Sequence, residues 1–189
     1  MSNFKVHTIE SAPAESKPLL EASVKGFGML PNLHGVMAES PAMLEAYQAM
    51  TGIFSTKTAF NTEEQTVVWQ TINVANSCHY CVPAHTAIAN GNKVDANVTQ
   101  ALRNETELPN AKLTELRNLT QAIMNQQGNP TQEQLQAFYN QGYTQRHVLD
   151  ILVGYSHKIM SNYTNHLAQT PVDAPFQPFA WKKEAQPTG

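Results

Sequence analysis

Apolar residues recur every three to four positions along most of this chain, the period of an amphipathic helix, and no segment alternates as a half-buried strand does. Ser16 with Pro18 opens a first helix carrying Leu19, Leu20 and Val24, and Gly26 and Gly28 end it. Leu30-Pro31-Asn32 begins a short helix or turn to about Ala38. Ser40-Pro41 pairs an N-cap with proline at the first helical position, and Met43, Leu44, Tyr47, Met50, Ile53 and Phe54 follow at helical spacing. Thr62 with Gln65 reads as a capping box for a helix through Val67, Val68, Ile72 and Ala75, interrupted at Asn76-Ser77. Further helices are expected over Asp95–Arg103, from Asn110 and from the capping box Thr131/Gln134. Thr144 opens the longest periodic segment: Val148, Ile151, Leu152, Tyr155, Ile159, Tyr163 and Leu167. The pattern predicts an all-α, single-domain helical bundle over residues 16–170. A loose arm (1–15) precedes it, and an extended Pro/aromatic tail (171–189) follows, in which prolines forbid a helix.

Composition narrows the function classes. A chain of 189 residues is most simply one domain able to bury a core without disulfide staples. With 41% apolar and 14% charged residues, its polar positions are filled by Asn, Gln and Thr, which suits a subunit that buries surface against its own copies. A net charge of -3 and the lack of any basic run argue against a nucleic-acid partner. No apolar run reaches the length of a membrane span, and the first residues lack the apolar core of a secretory signal. The expected location is the cytoplasm, where paired cysteines are reactive or metal-bound more often than static staples.

The only two cysteines, Cys78 and Cys81, stand three residues apart, with His85 four further on. On one helix all three would share a face. Pro83 opposes a continuous helix, so either a second helix starts near Tyr80 with Pro83 in its first turn, or a kink separates the thiols from His85. In the first case the thiols flank a helix N-terminus, which favours a thiolate. Zinc needs four ligands, and only His79, His85 and distant histidines could join the thiols. A thioredoxin-type site needs a βαβ context that is absent, and two buried, inert thiols are the plainest alternative. A dithiol site accounts for the spacing with a complete chemistry: one thiolate attacks a peroxide O–O bond, the other thiol closes a disulfide, and a thiol donor reopens it. His85 is placed to carry the proton.

The run Asn76-Ser77-Cys78-His79-Tyr80-Cys81-Val82-Pro83-Ala84-His85 resembles the Asn-x-Cys-x-x-Cys-x-x-x-His motif of the alkylhydroperoxidase D-like branch of the carboxymuconolactone decarboxylase superfamily. Gly28-Met29-Leu30-Pro31-Asn32, Ser40-Pro41-Ala42-Met43-Leu44 and Ser161-Asn162-Tyr163-Thr164-Asn165-His166 resemble stretches of its peroxidase-related members, so the likeness spans most of residues 25–175. The resemblance implies an all-α fold of the alkylhydroperoxidase D-like type, trimers or hexamers, and thiol-dependent reduction of hydroperoxides without metal or other cofactor. It makes Cys81 the peroxidatic thiol, Cys78 the resolving and more accessible one, and His85 part of a proton relay. That order runs against the helix dipole if the more N-terminal thiol is the favoured one.

Two departures bear on the relay. Family members carry a glutamate twelve residues before the first cysteine, where this chain has Thr66, and Glu64 is the nearest substitute. The archetypal peroxidase has a histidine directly before its second cysteine, where this chain has Tyr80, with His79 one position earlier. The candidate site is therefore Cys78, Cys81 and His85, with Glu64, Thr66, His79 and His166 as candidate relay residues. Tyr80 is a candidate gate, and Asn162 and Tyr163 accompany His166. His147 and His157 read as surface residues, His7 and His34 carry no signal, and Trp69 and Trp181 read as packing. The expected partners are a hydroperoxide, a thiol reductant or redox partner protein, and further copies of the chain. A non-enzymatic redox sensor or disulfide relay is the alternative. Lactone decarboxylation is a weaker third reading, because members with that activity generally lack the paired cysteines.

Overall fold

The computed structural model describes residues 4–183. Nine α-helices follow one another among them: α1 (Lys17–Phe27), α2 (Asn32–Met37), α3 (Pro41–Lys57), α4 (Thr62–Ala75), α5 (Cys81–Gly91), α6 (Ala96–Arg103), α7 (Ala111–Asn125), α8 (Gln132–Asn140) and α9 (Gln145–Ala168). Local capping chemistry explains most starts. Ser40 accepts from the Met43 N–H with Pro41 at the first position of α3, and Asn110 caps α7. Thr131 and Gln134 form the expected capping box on α8. At α4 the box lies one residue earlier than expected. Asn61 accepts from Glu64 N–H at 2.9 Å and Glu64 accepts from Asn61 N–H at 3.0 Å. Gln65 instead donates to the carbonyls of Phe54, Ser55 and Phe60, tying the end of α3 to the start of α4.

α4 runs through the middle, packed by α5, α6, α7 and α9. Its Val67, Val68 and Ile72 join Phe54, Leu116, Leu119, Phe138 and Ile151 in a large apolar cluster, each side chain contributing about 1.5–3 kcal/mol by leaving water. α9 crosses close at Gly154, where a Cβ would lie 2.6 Å from the Phe54 ring and 2.9 Å from Val68. A second cluster holds Leu20, Leu33, Met37, Leu44 and Tyr47 together with Cys78, Tyr80 and Cys81. The thiols thus sit in a core of their own, beside the larger one.

Three expectations need correction. The N-terminal segment is not loose: the buried His7 donates its backbone N–H to Gly35 O at 3.1 Å, and its ring meets Glu39 at 2.6 Å. In α9 the periodic apolar residues do not all face inward. Leu152, Tyr163 and Leu167 are exposed, and the buried face continues from Ile151 through Gly154, Lys158, Ser161, Asn162 and Asn165. Burial follows the three-to-four step even where polar residues occupy it, because that step fixes which face meets α4. The tail, finally, makes a 3-10 helix over Ala174–Phe179: Pro175 in its first turn forfeits no needed donor, and Pro178 lies inside it. It lies on its own subunit: Trp181 Nε1 donates to Arg103 O, and Arg103 donates to Phe179 O and Ala180 O. Residues 1–3 of the arm and 184–189 of the tail lie outside the described residues.

Candidate active site

α4 ends at Ala75, and Ser77 turns the chain through a left-handed φ of 52°. Cys78 N–H then reaches back to Asn73 O at 3.0 Å. α5 begins at Cys81, so Pro83 falls in its first turn, where backbone donors have no helical partner. Cys78 therefore stands outside the helix, and Cys81 is its first residue. The dipole argument changes sides, because Cys81 is the thiol at the helix N-terminus. His85 follows one turn later on the same face.

Both cysteines are free thiols and both are buried. Cys81 N–H points to Cys78 Sγ at 3.3 Å, and Asn165 Nδ2 of α9 donates to Cys81 Sγ at 3.3 Å and lies 3.9 Å from Cys78 Sγ. Burial pushes the Cys81 thiol up, but four influences outweigh it and bring it down to about 5: a hydrogen bond from Cys78, the Lys158 charge, and hydrogen bonds from Ser161 and Asn162. The same hydrogen bond, with burial, pushes the Cys78 thiol up. The two thiols are thereby shifted in opposite directions, Cys81 towards the thiolate and Cys78 towards the neutral donor.

Lys158 is completely buried, and its Nζ lies 2.8 Å from His85 Nε2. Burial holds His85 well below the usual imidazole range, helped by the Lys158 charge, so the ring is neutral and accepts from the ammonium. Lys158 itself is lowered by burial and held up by the charges of Cys81 and Cys78. Around this group lies a cavity of about 760 Å³, lined by Cys81, His85, Lys158 and His157 and by the rings of Tyr47, Trp69, Tyr80 and Phe176. Trp69 Nε1 and His157 Nδ1 are buried without a partner among the described residues.

A relay of amides fixes the thiol turn. Gln70 Nε2 donates to Val82 O and Thr86, Asn73 Nδ2 to Gln70, Asn162 Nδ2 to Asn73, and Asn76 Nδ2 to Asn162, at 2.9–3.1 Å throughout. Side chains of α4 and α9 thus lock the end of α4 to the start of α5, and every member has a partner.

Of the residues expected at the site, Cys81 and His85 line the cavity, and Cys78 lies against Cys81 behind it. Cys78 is not the more accessible thiol: it is wholly buried and does not line the cavity. None of the four candidate relay residues lines the cavity. Glu64 caps α4 and pairs with Lys112 at 2.8 Å; Thr66 donates to Thr62 O. His79 bonds Thr170 O at 3.0 Å, and His166 stacks on the exposed Tyr163. Tyr80 is buried, with its hydroxyl donating to Asp173 of the tail. His157, expected at the surface, is buried between Thr51 and the Tyr47 ring. His34, which carried no signal, is buried on Ser23, and Trp69 lines the cavity as well as packing.

Sequence reasoning missed Lys158, Tyr47, His157 and the contact of Asn165. The signal was present: Ile151, Lys158, Ser161, Asn162 and Asn165 continue one helical face, polar where a core helix is ordinarily apolar. Among the described residues, no group of three or more His, Cys, Asp or Glu could hold a metal ion, and no helix is long and apolar enough to cross a membrane.

By sequence, the chain matches no protein-family profile, and no curated protein is similar to it. Its similarity to solved structures runs over almost the full length. An uncharacterized peroxidase-related protein with an alkylhydroperoxidase AhpD core, from Ralstonia eutropha JMP134, aligns with a TM-score of 0.80 at 20% identity, over 93% of this chain and 94% of that one. An uncharacterized peroxidase-related protein from Silicibacter sp. TM1040 aligns with a TM-score of 0.78 at 17% identity, over 92% of each chain. A variant of the debrominase Bmp8 in complex with 2,3,4-tribromopyrrole aligns with a TM-score of 0.78 at 16% identity, over 94% of this chain and 95% of that one. With nine helices in the described chain and a thiol turn between α4 and α5, this protein has the alkylhydroperoxidase D-like fold that its motif resembles.

Proposed function

We propose that this protein is a thiol-dependent oxidoreductase that reduces bulky organic hydroperoxides, with Cys81 as the attacking thiolate and Cys78 as the resolving thiol. The observation that carries the reading is Cys81 itself. It is the first residue of α5, its sulfur accepts from Asn165, Lys158 lies close enough to depress its pKa, and it opens on a cavity of about 760 Å³. Cys81 S⁻ attacks the O–O bond, which breaks to give Cys81–SOH and an alkoxide that leaves as the alcohol on taking a proton. Cys78 then attacks the sulfenic sulfur, an S–S bond forms, and the hydroxyl departs as water with the Cys78 proton. An external thiol donor returns the pair to the dithiol by exchange. The cavity volume and its ring-lined wall favour an aryl or long-chain hydroperoxide over hydrogen peroxide.

The supporting setting is a homo-oligomer in the cytoplasm. Free thiols suit a reducing compartment, and exposed Leu149, Leu152, Tyr163 and Leu167 offer α9 an apolar outer face for other copies. A sensor or protein disulfide relay is less favoured, because Cys78 is wholly buried.

A second reading draws on the likeness to Bmp8: the same thiolate takes a bromine from a brominated ring that fits the cavity, and Cys78 then expels bromide as the disulfide forms. The ring receives the electron pair and a proton, so the dithiol is oxidised and the substrate reduced.

Rapid mixing of reduced protein with cumene hydroperoxide decides between these readings. Two thiols per chain are expected to vanish, faster than with hydrogen peroxide. Cys81→Ser abolishes the loss, and Cys78→Ser stops after one thiol is oxidised. Thiols that react only as slowly as free cysteine overturn the peroxidase reading, and bromide release from tribromopyrrole in their place establishes the second.

A further inference from the structure

Lys158 presents an unusual charge balance. It is completely buried, yet none of the ion pairs among the described residues involves it. No Asp or Glu lines the cavity on which it opens. A buried ammonium needs an anion, and the candidate on the same cavity is Cys81, one helical turn from the His85 that Lys158 touches. The other titratable groups around it are His34 from α2, Tyr47 from α3, Tyr80 before α5, His85 from α5 and His157 on its own helix, which line the same cavity, and Cys78 in the turn. Burial keeps the three histidines neutral and Tyr47 and Tyr80 protonated. Forming the Cys78–Cys81 disulfide removes the thiolate and leaves the ammonium without a counterion.

From this arrangement we infer that Lys158 is the acid of the reaction: its ammonium, held by His85, gives a proton to the alkoxide oxygen released when Cys81 breaks the O–O bond. The inference rests on the thiolate reading above. The ledger closes without solvent. One Cys78 thiol, one Cys81 thiolate, one Lys158 ammonium and one ROOH become one disulfide, one neutral amine, one ROH and one H₂O. Burial then favours the neutral amine, since no anion is left beside it. Return of two electrons and two protons from the reducing dithiol restores the thiolate, the ammonium and the Cys78 thiol.

The test counts protons. Reduced protein in weak buffer at about pH 7.5, with a pH indicator, is oxidised with cumene hydroperoxide and separately with diamide, which makes the same disulfide without a peroxide. Iodoacetamide alkylation against pH locates the Cys81 thiolate. For wild type, an alkylation midpoint well below 7.5 and no proton uptake on oxidation are expected. Lys158→Arg keeps a fixed cation that cannot donate, so about one proton per chain is taken up while the midpoint stays low. Lys158→Met is expected to move the midpoint up towards an ordinary thiol, near 8.5.

Uptake of one proton by wild type overturns the inference, as does a Lys158→Arg protein that takes up none, or a Lys158→Met midpoint left unchanged. Should Lys158→Arg fail to fold, judged by its melting curve, the wild-type count and Lys158→Met decide. If diamide oxidises the pair and hydroperoxide does not, the peroxidase reading fails, while the diamide count still judges Lys158.

Discussion

Through its first half α9 buries Ile151 and Gly154 against the rings and branched side chains of α3 and α4; through its second half it buries Lys158, Ser161, Asn162 and Asn165 around the thiol turn. Both halves face inward on the same helical step, but they do different work. The apolar half gains free energy by leaving water and closing tightly. The polar half gives part of that up: each buried amide must find a partner merely to offset its desolvation. What it obtains is a fixed electrostatic field at one sulfur. Apolar packing and polar site-building are thus segregated along one helix, which lets the site hold a buried Lys158 on His85 apart from the main core.

Several substitutions break or sharpen this contrast. The largest effect is expected in the apolar half: Ile151→Ala opens a cavity in the main cluster and costs about 2–5 kcal/mol in denaturant unfolding, while the alkylation profile of Cys81 is unchanged. In the polar half, Asn162→Leu strands the groups of Asn73 and Asn76 that it now satisfies. A loss of about 1–3 kcal/mol is expected, together with a slower disulfide closure, read by thiol counting after oxidation.

Acid probes the polar half of α9 and the histidines packed around it without a mutation. His34 is held down to about 4 by burial, and His85 and His157 are held well below the usual range, by burial first and by neighbouring charge second. Below about pH 6.5 the unfolded chain takes up protons that the native histidines refuse, so stability falls as pH drops from about 6.5 towards 4. For His34 alone the loss is about 2–3 kcal/mol at pH 4. Melting curves across that window check it, and His34→Gln is expected to make the slope shallower. A melting temperature flat from pH 7 to 4 would count against this burial.

Asn165→Ala removes the amide that touches the Cys81 sulfur, and a rise of about one unit in its alkylation midpoint is expected, with a change in stability smaller than that of Ile151→Ala. The smallest effect on the folded subunit belongs to the outer face. Leu167→Lys leaves monomer stability within about 0.5 kcal/mol, and light scattering then reports whether the apolar outer face of α9 holds copies together.

Helix positions were largely legible because their signals are local. Ser40-Pro41, Asn110 and Thr131/Gln134 act on the first turn they precede. The thiol motif was legible for the same reason, since the Cys-x-x-Cys-x-x-x-His spacing and Pro83 sit within one turn and one helix start. What misled was a choice between two overlapping faces. In α9, Leu152, Tyr163 and Leu167 make an apolar stripe as regular as the buried one, and hydrophobic period alone favours it. At α4 the competing box Thr62/Gln65 lost to Asn61/Glu64 by one residue, because Gln65 was drawn to the end of α3.

The sequence by itself therefore determined the helices, the break at Asn76-Ser77 and the nearness of Cys78, Cys81 and His85, all set by contacts among residues close in the chain. Only the tertiary structure set the two thiols apart, because the Lys158 charge and the Asn165 amide that act on Cys81 come from α9, far along the sequence. It also decided that Glu64, Thr66, His79 and His166 lie away from the cavity. Chain spacing limits which neighbours a side chain can have within its own helix, but the charge it feels is set by the helices packed against it, and that packing is a property of the whole fold.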